Sequence, residues 1–208
     1  MAAGISLLAG GCSAGTERLD EAVFHAGPEF RLKLVRYREN LPLHFVGEIA
    51  RVQCSSRATA GSKPHKTQDA GWVALGYGSR DGNSLTAAQW AERERPNYRI
   101  FGPRTLAWVG NGVNVSFDAC ASFASWHPTA LPAAWIDPVA RPEHCAPKGK
   151  ADCRYLDFEG ARAPRYEDLR VTGTGEVSFL LRSTALKAGR PVRVASADFG
   201  RSWQVELR

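Results

Sequence analysis

The chain has no apolar run approaching the roughly 18 to 20 residues that a membrane-spanning helix needs. It also lacks an H-E-x-x-H helix, a P-loop and a G-x-G-x-x-G turn, so the common zincin and nucleotide-binding signatures are excluded. There is one methionine, no low-complexity tract and no repeat of fixed period. Charge is not one-sided: 27 Lys+Arg against 21 Asp+Glu leave +6 over 208 residues. At 44% hydrophobic and 23% charged, the composition excludes disordered and fibrous classes and fits one large domain or two small ones. What is plentiful is glycine (20), proline (12) and aromatics (10%), the materials of strands and turns.

Strand signals dominate the chain. Phe30 to Tyr37 begins with clean apolar/basic alternation, and His44 to Cys54 follows as a second strand whose register is broken near Val52. Ser55 to Gly71 reads as an exposed loop, and Trp72 to Tyr77 as a further strand. One helix is expected, opened by a capping box of Thr86 and Gln89 and stopped at Pro96. Thr105–Val109 and Val113–Phe117 flank Gly110-Asn111-Gly112, a hairpin signal because these residues tolerate positive φ. Ala121 to Pro164 carries six prolines and is expected to wrap the sheet as a long irregular loop. From Asp168 to Leu207 strands return. The expected fold class is α+β, predominantly antiparallel β-sheet with one short helix.

The first eleven residues are uncharged, small or apolar, end at Cys12 and have the size of a signal-peptide apolar region. They resemble the bacterial lipobox, although Ala9 stands where leucine is commonest and no Lys or Arg precedes the run. The resemblance implies cleavage before Cys12 and acylation of that cysteine. Ser13 in the next position resembles the outer-membrane sorting pattern. Residues 1–11 are thus expected to be a signal peptide, 12–28 a linker, and 29–208 a single β-rich domain. Two or three acyl chains anchor stably, since each buried methylene adds about 0.8 kcal/mol.

Without Cys12, four cysteines remain: Cys54, Cys120, Cys145 and Cys153, an even number suited to an oxidising compartment. They allow three pairings. Cys145 and Cys153 bracket a segment with the turn formers Pro147 and Gly149, which makes a local clasp easy and leaves Cys54 for Cys120. Their spacing lacks the short C-x2-4-C of zinc ribbons, so disulfides are expected rather than a metal.

Ser196-Ala197-Asp198-Phe199-Gly200-Arg201-Ser202-Trp203 fits S-x-D-x-G-x-[ST]-W between two short alternating segments. It resembles the Asp-box, a hairpin turn of sialidase-type propellers and other β-rich proteins. In such a turn Asp198 accepts hydrogen bonds from nearby amides, Gly200 takes a positive φ and Trp203 buries its ring. The role of Ser196, Asp198, Gly200 and Trp203 is structural, and a single copy at this length argues against a full propeller.

A lipobox-like start, a terminal Asp-box, a β-rich body and candidate disulfides together resemble one family. These are the periplasmic lipoprotein immunity proteins that neutralise phospholipase effectors of type VI secretion systems. The specific likeness covers about eight residues at each end, and the middle agrees in character only. It implies a non-enzymatic protein without cofactor or metal, held at the periplasmic face of the outer membrane, that inhibits a secreted lipase by binding it. Tyr98, Arg104, Trp126 and Trp135 are candidate anchors, because aromatic and arginine residues in irregular segments can reach a partner. The alternative is an envelope lipoprotein with a structural or carbohydrate-binding role. A third is a small glycan hydrolase using loop carboxylates such as Asp152, Asp157 or Glu159.

Other chemistry is sparse. His25, His44, His65, His127 and His144 are scattered without metal-ligand spacing. Arg31, Lys33, Arg36 and Arg38 line one strand, and Arg93, Arg95, Arg99 and Arg104 flank Tyr98 and Phe101. No nucleic-acid recognition motif accompanies these charges. An acidic protein or an anionic membrane surface suits them better.

Overall fold

The computed structural model describes residues 16–40, 46–56, 68–74, 85–136 and 164–208. Within these residues the protein is mostly antiparallel β-sheet with one short helix. Twelve strands form three four-stranded sheets, and in each the strands lie in sequence order, as a meander. The first sheet holds β1 (Thr16–Ala26), β2 (Phe30–Asn40), β3 (Val46–Ser56) and β4 (Gln68–Ala74). The second holds β5 (Tyr98–Ile100), β6 (Leu106–Val109), β7 (Val113–Ser116) and β8 (Ala124–Trp126). The third holds β9 (Arg165–Val171), β10 (Val177–Arg182), β11 (Val192–Ser196) and β12 (Gln204–Leu207). Four-stranded meanders are the unit from which propeller blades are built.

β1 corrects the expectation of a linker over 12–28. Its alternation is masked by two register shifts, at Arg18/Asp20 and Val23/His25, and by a high content of acids. Those acids answer the basic face of β2: Glu21 pairs with Lys33 at 3.0 Å and Asp20 with Arg36 at 2.5 Å. Likewise β4 begins at Gln68, inside the stretch read as a loop. The register break near Val52 lies in the β3–β4 pairing, while β2 and β3 pair without a shift.

The helix α1 (Ala87–Glu94) opens as its sequence dictates. The Gln89 amide donates to Thr86 Oγ1, and the Thr86 amide donates to Gln89 Oε1 at 2.8 Å. A third partner comes from the sheet, because Asp20 Oδ2 accepts from the Ala87 amide at 3.0 Å. Asp20 therefore ties the helix N-terminus, and Arg36 behind it, to β1. Past Glu94 the chain tightens into a 3₁₀ turn that contains Pro96 and leads into β5.

Two cores result. Phe30, Leu32, Leu34 and Val52 of the first sheet meet Ala87 and Ala91 of α1, together with Leu106. Ala107, Val113, Val115 and Trp126 meet Val177, Phe179, Leu181, Val192 and Val194 of the third sheet. Leu106 and Ala107 are neighbours on β6 that serve different cores, as period-two alternation requires. The second sheet is thus covered on both faces. In its β6–β7 hairpin, none of Gly110, Asn111 and Gly112 takes the positive φ expected of them. The need for glycine there is one of close approach, since a Cβ at Gly112 would collide with the Trp126 carbonyl oxygen.

Candidate functional site

Two turns built by the same hydrogen bonds meet at the surface. The first joins β11 to β12. Ser196 Oγ donates to Asp198 Oδ1 at 2.8 Å and accepts from the Gly200 amide at 3.0 Å. Asp198 Oδ1 also accepts from the Ser202 amide at 2.9 Å, and Oδ2 from the Ser202 hydroxyl at 2.6 Å. Phe199 and Gly200 both lie in the left-handed region, at φ 60° and 75°. Glycine is required at the second position twice over, because a Cβ there would come within 2.5 Å of the Ala124 Cβ.

The second turn joins β7 to β8, and the sequence reading missed it. Ser116 Oγ donates to Asp118 Oδ1 at 2.9 Å and accepts from the Cys120 amide at 2.9 Å. Asp118 accepts from the Ser122 amide at 2.9 Å and from its hydroxyl at 2.6 Å. Ala119 and Cys120 take φ 57° and 70°, matching Phe199 and Gly200. Cys120 thus stands where the other turn has glycine, and it uses its Cβ to reach Cys54 in a disulfide. Phe123 stands where the other turn has Trp203, and packs against the first core. The available signal was the spacing Ser-x-Asp-x-x-x-Ser-aromatic, which Ser116 to Phe123 obeys.

The turns touch through their variable positions. Phe117 and Phe199 meet edge to face at 5.2 Å, and the Phe199 amide donates to the Gly175 carbonyl at 2.9 Å. A cleft of about 450 Å³ opens beside them, lined by Asp118, Ser122, Phe123 and Arg201. Phe199 remains 44% exposed. A side chain at positive φ costs roughly 1–2 kcal/mol; one part of the ring is seated on Gly175 and Phe117, and the rest is left in solvent. Arg201 is exposed beside it, with no carboxylate partner among the described residues. An exposed ring seated on a half-buried one, next to an arginine with no carboxylate partner among the described residues, is the composition of a protein-binding hot spot.

The expected anchors are placed differently. Tyr98 is 8% exposed between Phe24 and Trp108, and burial with Glu94 nearby pushes its hydroxyl well above the usual phenol range. Trp126 is 2% exposed against Phe179. Both rings are committed to the cores, so neither can also anchor a partner. Trp135 is half-buried against the second core. Arg104 is exposed, and its carbonyl accepts from the Ala119 amide at 2.8 Å, which puts it beside the Asp118 turn. Cys12, Cys145, Cys153, Asp152, Asp157 and Glu159 lie outside the described residues, as do His44, His65 and His144. Among the described residues no group of three or more His, Cys, Asp or Glu is placed to hold a metal. None of their helices is long and apolar enough to cross a membrane.

The carboxylates of the turns are held ionised. Hydrogen bonds from the Ser202 hydroxyl and amide, then from Ser196, bring Asp198 down to about 2. At Asp118 burial raises the pKa, but Ser122 and Ser116 outweigh it and the net direction is down. Asp20 is also lowered: burial opposes, and Arg36 with the Ala87 amide prevails. A depressed carboxylate contributes stability in full above its unfolded value of about 4, and loses it as pH falls toward the folded value. Burial also holds the His25 imidazole below its usual value, so the urea midpoint should decline gently as pH falls below about 6.5 and drop steeply below about pH 4. Asp198→Asn should be less stable than wild type at pH 6 and show a shallower drop. An equally steep profile in that variant would remove Asp198 from the account.

Compared with family models, with characterised proteins and with solved structures, the chain matches none.

Proposed function

We propose that this protein is an exported, non-enzymatic binding protein: a lipoprotein anchored through Cys12 at the periplasmic face of the outer membrane that neutralises a phospholipase effector of type VI secretion. The two Asp-centred turns are read as a pair of Asp-boxes, the second degenerate; the one at residues 196–203 is the copy on which the likeness to the Asp-box-containing immunity proteins rests. The Cys54–Cys120 disulfide fits an oxidising compartment. One observation carries the binding reading: Phe199, strained and exposed over Phe117 with Arg201 alongside. Rigid aromatic rings and unpaired guanidinium groups are what an occluding inhibitor presents at the centre of an interface of standard size, about 1,600 Å².

The test pairs toxicity with binding. The product of the adjacent gene is sent to the periplasm of cells that carry or lack the protein, and binding is measured with purified components. Cells lacking the protein should lyse. Phe199→Ala and Arg201→Ala should each weaken the complex about 30-fold or more, the scale of a 2 kcal/mol hot spot. Both side chains are exposed, so the fold should be unaffected. Survival of cells without the protein, or full protection by the double variant, would overturn the proposal.

A further inference from the structure

The third sheet offers a second surface. Its inward positions, Tyr166, Leu169, Val177, Phe179, Leu181, Val192 and Val194, fill the second core. Tyr166 and Leu169 both face inward although three residues apart, which a strict strand forbids. Asp168, at φ 53°, is a bulge: three steps of β9, from Glu167 to Arg170, oppose two of β10, from Ser178 to Leu180. The bulge resets β9 so that Arg170 faces outward opposite Ser178. On the far side of β10, Arg193 lies opposite Leu180, and Ala195 opposite Ser178.

Arg170 and Arg193 therefore stand on strands two apart, about 10 Å across the sheet and about 7 Å along it, above a floor of small or apolar side chains. Two shallow hollows of about 350 and 490 Å³ share Arg170, Ser178 and Arg193, and every lining residue of both belongs to the third sheet and its turns. The acids of this sheet are largely engaged: Glu167 pairs with Arg182 at 2.6 Å, Glu206 with Arg208 at 3.2 Å, and Asp198 is held within its turn. Asp168 lines the first hollow and Glu176 the second, without an ion pair to either arginine. Neither Arg170 nor Arg193 is in an ion pair with a described residue; Glu206, directly opposite Arg193 on β12, is turned to Arg208. Residues 164–208 carry eight Arg and Lys against five acids.

From this charge and shape we infer that the outer face of β9–β12 binds an extended acidic segment of a protein partner. Carboxylates at alternate positions of an extended chain are about 7 Å apart, close enough for the two guanidinium groups to grip one each. Two hollows that meet at Arg170, Ser178 and Arg193 suit a chain better than a lone anion. That the segment belongs to the neutralised lipase rests on the proposed function; the site itself does not.

The experiment uses the full chain and a fluorescein-labelled twelve-residue peptide rich in glutamate, read by anisotropy at low salt, with vesicles containing phosphatidylglycerol as a second arm. Arg170→Ala with Arg193→Ala should raise the peptide dissociation constant at least tenfold. Arg31→Ala with Arg99→Ala, which removes the same charge from exposed positions elsewhere, should leave it within twofold. Equal weakening by both pairs would mean net charge alone and overturn the inference. Vesicle binding that needs Arg170 and Arg193 while the peptide does not bind would overturn it in favour of a lipid surface. The peptide arm needs no lipase, so absence of a lipase complex with peptide binding intact sinks only the proposed function. Conversely, a lipase complex unaffected by Arg170 and Arg193 places the docking elsewhere.

Discussion

Replacing Cys54 and Cys120 together by serine should lower the unfolding free energy by about 4 kcal/mol. The bond closes a stretch of 66 residues with its Cα atoms 6.0 Å apart, so the chain-entropy term is close to its practical maximum. It joins β3 of the first sheet to the turn between β7 and β8 of the second, with both cysteines almost fully buried. Loss of the bond therefore releases one sheet from another rather than trimming a loop. Cys120 also sits at φ 70° in the Asp118 turn, a conformation that costs a non-glycine residue roughly 1–2 kcal/mol. With the crosslink gone, that strain is opposed by the Ser116 and Asp118 hydrogen bonds, by the bond from the Ala119 amide to the Arg104 carbonyl and by the packing of Phe123. Phe117 belongs to the same turn, so exposed packing of Phe117 on Phe199 should loosen as well. Urea titrations of the double variant and wild type, both under non-reducing conditions, measure the difference; the expected fall in Tm is roughly 10 °C. A change below about 1 kcal/mol would show that the first two sheets are held together by packing alone.

The features legible in the sequence were those whose signal is local. Thr86 and Gln89 announce α1 because a capping box needs only four residues to act. The alternation of β2 is clean because one face is buried and the other is basic. The Cys54–Cys120 bond was legible by elimination, once the short spacing of Cys145 and Cys153 is read as a local clasp. What escaped depends on partners distant in the chain. β1 alternates poorly, and only its pairing with Arg36 and Lys33 makes its acids intelligible. The Asp118 turn was hidden because a disulfide cysteine occupies the position that glycine marks in the other copy. Trp126 looked free because prolines surround it, yet the chain folds back there as β8 and delivers the ring to Phe179. Phe199 was passed over as a variable position of a motif. The clue was present: a position that geometry forces to positive φ is a poor place for phenylalanine unless the exposed ring is wanted.

Phe179→Ala should be the most damaging single substitution in the second core, costing about 3–5 kcal/mol. Phe179 is 2% exposed on β10, and three other rings meet it edge to face: Trp126 at 5.3 Å, Tyr166 at 5.7 Å and Trp203 at 6.2 Å. These rings come from β8, β9 and the residue ahead of β12, so the phenylalanine is where the second and third sheets are joined. Aromatic neighbours have few rotamers and cannot flow into a vacated space, which keeps the cavity term near its upper end. Phe179→Leu fills most of the volume and should cost only about 1–2 kcal/mol. Equilibrium denaturation followed by tryptophan fluorescence reads the loss, because two of the three surrounding rings are tryptophans. The effect should extend to the surface. Trp203 closes the Asp198 turn, so a void beneath it frees the segment that holds Phe199 and Arg201. The alanine variant should accordingly weaken binding of the proposed partner while the leucine variant largely retains it, even though neither changes an exposed atom of the cleft. Binding unchanged in Phe179→Ala, measured where that variant is still folded, would show that the turn's own hydrogen bonds suffice to hold Phe199 in place.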